Sequence, residues 1–348
     1  MIMKHKNEHN VRFWIVDGIL IVMLALLAIA CLIYGSVDIP TSDIFSIITG
    51  KGSDNVAWDI IIMQSRLPMI ATAALAGAAL SVSGLLLQTT FNNPLAGPSI
   101  LGVSAGAGLG VAIVMLATGG TVSTLLGTSM GSYITTLIGA LIGAGAVLAI
   151  LITFSAIVRS STMLLIVGIL VSYLASSIIS LLNSVASEEG IHSYVTWGFG
   201  NFSGVTTAQM PIYAAAIIIS LCAAALMVKP LNALLLGTRY AENLGVNTHR
   251  TRNTLLIITG VLTAVVTAFC GPIGFLGLVV PHVARFMTAT SNHARLIPTT
   301  ILAGADVALL CTLISVNGAH GIIPINAITP IIGVPIIIYI IVREKIHN

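Results

Sequence analysis

Residues 254–286 read TLLIITGVLTAVVTAFCGPIGFLGLVVPHVARF, and this stretch decides the architecture of the chain. It is mostly apolar, too long for one straight membrane span of about 20 residues and short for two. A Gly-Pro pair, Gly271 and Pro272, stands near its middle, and a helix continues poorly through such a pair. The stretch therefore predicts two spans, 254–270 and 273–286, joined by a tight reversal.

The composition of the whole chain indicates a membrane protein. Of its 348 residues, 57% are hydrophobic and 7% are charged, and the mean hydropathy is +1.05. A soluble globular chain carries about a quarter charged residues, so this chain could not maintain a water-facing surface. A segment in lipid must satisfy its own backbone hydrogen bonds, which a helix does. We expect an all-α polytopic membrane protein.

Apolar segments of span length recur outward from the reversal. Eight more spans are predicted at residues 13–34, 67–88, 100–117, 131–155, 163–184, 208–228, 296–316 and 325–342. The longest polar stretches are 35–66, 187–207 and 229–253, which leave no room for a large soluble domain. The sequence predicts one transmembrane domain of about ten spans over residues 1–348.

Charge placement predicts the orientation, because Lys and Arg near spans collect on the cytoplasmic side. With ten spans and the first residue inside, the following basic residues fall on the inner side: Lys4, Lys6, Arg12, Arg159, Lys229, Arg239, Arg250, Arg252, Arg285, Arg295, Arg343 and Lys345. Lys51 and Arg66 fall outside. Nine spans would place Arg343 and Lys345 on the far side, so the asymmetry favours ten spans with both termini cytoplasmic.

Several function classes are disfavoured. No run rich in Lys and Arg suggests nucleic-acid binding. No G-x-x-x-x-G-K-[ST] segment is present, so any ATP hydrolysis belongs to another protein. No Ser/Lys, paired Asp or H-E-x-x-H arrangement indicates an intramembrane enzyme, and we predict no catalytic residue.

The four cysteines and the first apolar stretch have ordinary interpretations. Each cysteine stands alone within a predicted span, without a partner at metal-ligand spacing, so we expect packing residues and no metal. They are Cys31, Cys222, Cys270 and Cys311. The apolar stretch at 13–34 is long for a secretory signal, so we expect a retained first helix.

Several segments, taken in order, carry a family resemblance. They are Arg66-Leu67-Pro68, AGAALSVSG at 76–84 with Gln88, FNNPLAGPSILGVSAGA at 91–107, LLIVGI at 164–169, LGTRYAENLGV at 236–246, GPIGFLGLVVPHVAR at 271–285 and TPIIGVP at 329–335. Together they resemble the FecCD-type, BtuC-like permeases, the transmembrane subunits of type II ABC importers for iron siderophores, haem and cobalamin. The resemblance runs from about residue 66 to 342.

The resemblance implies a BtuC-like permease fold in the bacterial inner (cytoplasmic) membrane and a division of labour. A separate ABC ATPase would hold ATP-Mg, so no cofactor is expected in this chain. A periplasmic or lipid-anchored binding protein would hold the cargo, with a ferric siderophore first and haem or cobalamin next. A second permease copy, in a homodimer, would complete the passage. The chelate itself, and homodimer against heterodimer, are left open.

The polar stretch 229–253 is the expected ATPase-docking loop. Gly237 and Gly245 could end two short helices and leave Leu234 among the exposed apolar side chains. The resemblance implies docking through Leu235, Leu236, Gly237, Arg239, Ala241, Glu242, Leu244, Gly245 and Val246. The alternative is a solvated loop with ordinary anchors at its helix ends.

The resemblance also implies a translocation path and an outer gate. The expected path and gate residues are Gln88, Asn93, Pro94, Ser104, Trp197 and Gly198. The spans around the path are nearly free of charge, as a passage that must release a bulky polar chelate requires. Spans two to five and seven to ten are expected to form an inverted repeat.

Docking of the binding protein is expected to involve Arg66, which matches a basic position of the family. Met69 stands where a second basic residue is common, and the outer loop 317–324 offers His320 in place of an arginine. We therefore expect docking that is weaker and less dependent on salt, or docking charges placed elsewhere.

Two titratable residues allow other interpretations. His282 beside Pro281 could be a proton relay or a metal ligand, but a structural turn residue is favoured, and Arg285 is expected to anchor the cytoplasmic edge. Asp306 is the only carboxylate predicted well inside a span, which keeps a proton-coupled secondary transporter as the alternative function. Family members more usually carry their Asp and Arg near Thr312 and Val316, so the role of Asp306 stays open.

Overall fold

The computed structural model describes residues 2–117, 129–158, 160–316 and 323–347, and these residues contain helices without any strand. The α-helices are α1 (Ile2–Ile33), α2 (Thr41–Ile48), α3 (Val56–Ile60), α4 (Leu67–Phe91), α5 (Val103–Ala117), α6 (Ser129–Ile157), α7 (Ser161–Val185), α8 (Glu188–Gly198), α9 (Met210–Leu226), α10 (Val228–Leu234), α11 (Thr238–Asn243), α12 (Thr248–Cys270), α13 (Leu276–Thr288), α14 (His293–Val316) and α15 (Ile325–His347). A π-helical turn, Ile61–Arg66, joins α3 to α4, and a 3-10 turn, Phe202–Gly204, precedes α9.

The apolar helices correspond one to one with the predicted spans. Among the described residues, six helices are long and apolar enough to cross a membrane alone, and the bent pair α9 and α10 makes a seventh. Shorter apolar helices at Val103–Leu116, Leu276–Thr288 and Ile325–Ile340 account for the remaining three predicted spans. The prediction of an all-α polytopic protein with about ten spans is confirmed.

The predicted reversal lies between α12 and α13. Gly271 ends α12 with φ +77°, and its N–H donates to the carbonyl of Thr267 over 2.9 Å. A Cβ at Gly271 would meet the carbonyl oxygen of Trp197 at 2.5 Å, so the turn excludes any other residue. Phe275, which precedes α13, has φ +68°, a conformation that costs a bulky residue free energy.

Two boundaries differ from the predictions. The stretch 35–66, predicted as a polar loop, contains α2, α3 and the π-helical turn that continues into α4. The span predicted at 208–228 ends at Leu226, and the chain bends by 54° into α10. Pro230 lies in the first turn of α10, where its missing N–H removes no intrahelical bond.

Helix α4 is the centre of the fold and packs against α12, α13 and α14. Its small residues allow backbones to touch, because a Cβ added at Gly84 would overlap the carbonyl of Gly277 in α13. A Cβ added at Gly77 would likewise overlap the carbonyl of Gly304 in α14. The high density of Gly, Ala and Ser in α4 is therefore explained by packing.

Three arginines bind carbonyl groups at the C-terminal ends of helices other than their own. Arg12 donates from Nε to the carbonyl of Met287 over 2.8 Å, at the end of α13. Arg252 donates from Nη2 to the carbonyls of Ser155 (2.6 Å) and Val158 (3.0 Å), at the end of α6. A cation at this end satisfies orphan carbonyls and opposes the helix dipole. The third, Arg66, is described with the site, and Arg159 lies outside the described residues.

Candidate functional site

The expected docking loop folds as two short helices, α10 and α11, each followed by a glycine of positive φ. Gly237 has φ +96° and Gly245 has φ +83°. After α11, Gly245 donates its N–H to the carbonyl of Glu242 (2.9 Å) and Val246 donates to that of Ala241 (3.0 Å). This pair of bonds is a Schellman motif, which fixes the loop beyond Leu244. The predicted role of both glycines as helix ends is confirmed.

The docking loop presents a cluster of apolar side chains to its surroundings. Leu235 is 46% exposed, Leu236 61% and Leu244 59%. Tyr240, which sequence reasoning missed, is 61% exposed beside them. Arg239 and Glu242 are also exposed, whereas Ala241 is buried, Val246 is half-buried, and Leu234 packs against the core. We call Leu235, Leu236, Tyr240 and Leu244 the docking cluster.

A buried histidine ties the docking loop to the core. His293 begins α14 and is 1% exposed. Its Nδ1 lies 2.9 Å from Oδ1 of Asn232 in α10, and its Nε2 lies 2.8 Å from Oγ1 of Thr89 in α4. Oδ1 of Asn232 also accepts the backbone N–H of His293 over 2.9 Å. Because an amide oxygen only accepts, Nδ1 is a protonated nitrogen that donates to Asn232. The hydroxyl of Thr89 contacts Nε2 and also lies 3.1 Å from the carbonyl oxygen of Leu85.

The predicted path residues at the end of α4 are held by α13. Gln88 is buried, donates from Nε2 to the carbonyl of Leu278 (3.2 Å), and accepts from Arg285 Nη1 over 2.7 Å. Arg285 was expected to be only an edge anchor, but it reaches this buried amide. Asn92 ends α4 with φ 45°, and Asn93 donates its N–H to the carbonyl of Gln88.

The segment after α4 is closed by His282. Its Nε2 lies 2.8 Å from the carbonyl oxygen of Pro94. The side chain of Asn93 accepts the N–H of Leu95 over 2.9 Å in a local turn. His282 thus holds a turn in place, in agreement with the structural interpretation. Ser104, the remaining inner path residue, lies 3.2 Å by its hydroxyl from that of Thr267 and links α5 to α12.

The predicted outer gate residues lie at the end of α8. The ring of Trp197 stacks on that of Tyr194 with 6.1 Å between centroids and is half-buried. The carbonyl of Gly198 accepts the side-chain amide of Asn326 over 2.8 Å. Asn326, at the start of α15, was not singled out in the sequence, because nothing local to it indicates a partner 128 positions away.

Arg66 is not presented to the outer surface. It is 4% exposed, and its guanidinium donates to the carbonyls of Leu32, Ile33 and Val37 at the end of α1. These bonds use both terminal nitrogens of the guanidinium within the fold. Its proposed docking role stays a prediction, but the geometry assigns Arg66 to helix capping. Within the loop 317–324, residues 317–322, which include His320, lie outside the described residues.

The three departures from the family pattern meet in one outer pocket. Met69, Thr312 and Val316 line it together with Phe199 and other residues that follow α8. Met69, where a docking charge was expected to be missing, is therefore a neighbour in space of Thr312 and Val316, where the family's Asp and Arg were expected to be missing. Their apolar and hydroxyl side chains make this part of the outer side uncharged.

Two carboxylates are buried inside spans. Asp306 is 1% exposed, and neither of its oxygens has a hydrogen-bond partner among the described residues. Asp17 is 7% exposed and accepts from the hydroxyl of Thr299 over 2.6 Å. Asp306 was expected to be the only carboxylate well inside a span; Asp17, near the start of the first span, is a second buried carboxylate among the described residues. Asp17 could have been recognised as an acid near the start of an apolar stretch.

The cysteines are free thiols. Cys31, Cys270 and Cys311 are buried and Cys222 is exposed. Within the described ranges, no group of three His, Cys, Asp or Glu side chains could hold a metal ion.

Comparisons with known proteins agree on one family. Residues 22–343 match the FecCD transport family. The vitamin B12 import system permease protein BtuC of Klebsiella pneumoniae is 32% identical over 345 residues, covering 98% of this chain and 97% of that protein. The same permease of Salmonella typhi is 33% identical, covering 98% of each. A solved metal-chelate type ABC transporter in an inward-facing conformation has a TM-score of 0.81 and 28% identity, and the match covers 94% of this chain and 99% of that chain.

Proposed function

The chain belongs to the FecCD transport family as a permease subunit of an ABC importer, and on this premise we propose its cargo, partners and working parts. We propose that it moves a bulky metal chelate from a binding protein across the bacterial inner membrane, driven by a separate ATPase. Cobalamin (vitamin B12) is the first cargo to test, because the similar permeases are named as parts of vitamin B12 import systems. Ferric siderophores and haem are the other two members of the class.

The observation that carries the ATPase partnership is the docking cluster. Leu235, Leu236 and Leu244 are each at least 46% exposed on a loop that is rigidly closed by two glycine turns. Exposed leucines at fixed positions on a polar loop are typical of a protein-binding surface. A loop that only contacts solvent would not need them. The loop lies on the side that charge placement predicts to be cytoplasmic, where an ATPase can reach it.

The hydrogen bonds around His293 support a route by which movement of the docked ATPase is transmitted to the translocation path. Movement of α10 is carried by Asn232 to His293 and from there to Thr89 in α4. Thr89 is adjacent to Gln88, whose amide is shared with Arg285 in α13. ATP-driven displacement of the docking loop would therefore act on the end of α4, where the predicted path residues lie.

The passage itself is proposed to lie between two copies in a homodimer, with α8 gating the outer side. The inward-facing state of the similar transporter and the bonds that hold α8 against α15 support a closed outer gate. Binding-protein docking is proposed on the outer face, with charges other than the capped Arg66.

Reconstitution tests the proposal directly. The permease and its ATPase subunit are placed in proteoliposomes with ATP inside, and the uptake of cobalt-labelled cyanocobalamin, a ferric hydroxamate or haemin is measured with the binding protein outside. We expect ATP-dependent uptake of one of the three. Uptake that proceeds equally without ATP, or with a pH gradient alone, would refute a powered importer.

The buried, unpartnered carboxylate of Asp306 is the observation that favours the second candidate, a proton-coupled transporter. Such a carrier requires a protonatable group within the membrane. The family membership favours the ATP-driven importer, and the two are separated by the Asp306 variant described in the Discussion.

A further inference from the structure

Asn326 joins three separate segments at the outer side of the fold. Its Nδ2 donates to the carbonyl of Gly198, the last residue of α8, over 2.8 Å, and also to the carbonyl of Pro272. Its Oδ1 accepts the N–H of Gly274 over 3.3 Å. Its own backbone N–H donates to the carbonyl of Phe199 over 3.2 Å.

These bonds use both donors and the acceptor of one side chain on backbone groups alone. A primary amide is the only short neutral side chain that can donate twice and accept once in this way. The partners belong to the end of α8 and to the reversal at 271–275, and Asn326 itself belongs to α15. Asn326 therefore fixes the position of α8 relative to two spans.

Close backbone packing adds to this attachment. Gly200 has φ +74°, and a Cβ there would lie 3.5 Å from both Nδ2 of Asn326 and the carbonyl oxygen of Pro272. The N–H of Asn201 donates to the carbonyl of Cys270 over 2.8 Å. The chain after α8 thus lies directly on the reversal, and Asn326 lies against both.

The reversal that Asn326 holds contains a strained residue. Phe275 has φ +68° and ψ −33°, and it follows the Gly274 whose N–H is bound by Asn326. A non-glycine residue persists in such a conformation only where its surroundings hold it there, and such residues are frequent in switch regions. Release of Asn326 would free both the end of α8 and the strained turn.

We propose that Asn326 keeps the outer gate closed. Its hydrogen bonds hold the end of α8 on the 271–275 reversal in the closed state and break when the gate opens, and in this sense we call Asn326 the latch. The proposal rests on the proposed gating role of α8. A latch belongs to one state alone, so weakening it shifts the population toward the open state. A purely structural bond would stabilise both states equally and shift nothing.

The first measurement uses the permease alone in lipid nanodiscs. Hydrogen–deuterium exchange is followed at 198–204 and 272–278 in Asn326→Ala and Asn326→Asp, which removes the two donors but keeps the size and the acceptor. We expect exchange to rise at least tenfold in both segments in both variants. Asn55→Ala, which removes an outer-face asparagine that caps only its own helix, is the matched control and should match the parent.

The second measurement uses the permease–ATPase complex and a readout that a structural role would not move. We expect ATP hydrolysis without binding protein to rise about fivefold in both Asn326 variants, and its stimulation by binding protein to fall by the same factor. An unchanged ratio of stimulated to basal hydrolysis, with the complex intact by gel filtration, would overturn the latch. If the parent complex shows no ATP-driven uptake, the proposed function fails instead, and the nanodisc result stands apart from that failure.

Discussion

The imidazole Nδ1 of His293 lies 2.9 Å from the amide Oδ1 of Asn232 and joins the first residue of α14 to the docking loop. Both groups are held on their other sides, His293 by Thr89 and Asn232 by the amide of Asn292 at 2.9 Å. These bonds therefore connect the docking loop to the C-terminal end of α4 and to the start of α14.

Replacement of this histidine should separate ATP hydrolysis from transport. His293→Leu removes the side-chain bonds to Asn232 and Thr89 and so breaks the link between α10 and α4. Both partners stay bonded, Asn232 to the backbone N–H of residue 293 and Thr89 to the carbonyl of Leu85. We expect cargo uptake per ATP hydrolysed to fall about tenfold while the ATPase still copurifies. Thr153→Leu, at an exposed residue of α6 whose hydroxyl binds only the carbonyl of Ala149 in the same helix, is the control. Unchanged coupling in His293→Leu would show that the docking signal takes another route.

We expect the docking cluster to determine whether the ATPase binds to the permease. Leu236→Asp places a charge at a side chain that is 61% exposed in the chain and is proposed to be covered by the ATPase. A buried, unpaired charge at an interface costs enough for us to expect at least a tenfold loss of copurified ATPase. Phe45→Asp in α2, equally apolar, 71% exposed and on the side predicted to be outer, should retain the ATPase. Equal binding in both variants would contradict the assignment of this surface.

Asp306 separates the two candidate functions. Asp306→Asn removes the ionisable group at almost constant size from a site where neither oxygen has a partner among the described residues. For the ATP-driven importer we expect uptake within about twofold of the parent and a melting temperature equal or higher, since no bond is lost. A proton-coupled carrier would instead lose uptake driven by a pH gradient. Transport assays with ATP alone and with the gradient alone distinguish these outcomes.

We expect Arg66 to contribute more to the stability of the fold than to docking of the binding protein. Arg66→Met leaves the carbonyls of Leu32, Ile33 and Val37 without their donor. Hydrogen bonds from a charged donor contribute about 1.5–3 kcal/mol each, so we expect the apparent melting temperature to fall by about 5 °C or more. Lys51→Met, at an exposed outer-face cation, should leave it unchanged. If only binding-protein affinity falls and the melting temperature does not, Arg66 is a docking residue after all.

The contact between α4 and α13 gives a matched pair of glycine variants. Gly84→Ala places a methyl group into the carbonyl of Gly277, so we expect loss of folded protein in membranes. Gly145→Ala, on the open side of α6 with nothing within 4 Å, should be neutral or slightly stabilising, because Ala is the better helix former. Fluorescence-detected gel filtration of both variants measures the difference. Normal yield of Gly84→Ala would contradict the close backbone contact.

Local patterns were sufficient to predict the spans and the docking loop. The Gly271-Pro272 pair predicted the reversal, and Gly237 and Gly245 predicted the ends of α10 and α11, because each effect acts within a few residues. Hydropathy then predicted the positions of the apolar helices.

Relations between distant residues could not be predicted in the same way. Asn326 binds Gly198, and Arg66 binds the end of α1, through side chains whose composition and neighbours do not reveal their partners. The sequence presented Arg66 as an outer cation, and only the arrangement of α1 beside α4 shows that its charge is used within the fold.

The backbone contacts between α4, α13 and α14 have a mechanical consequence. Helices that meet through glycine carbonyls, as at Gly84 and Gly77, have no flexible side chains between them to absorb sliding or rolling. We expect these three helices to turn as one stiff body when the importer changes state. The pivots would then lie where the helical ladder is already interrupted, at the bend between α9 and α10 and at the π-helical turn before α4.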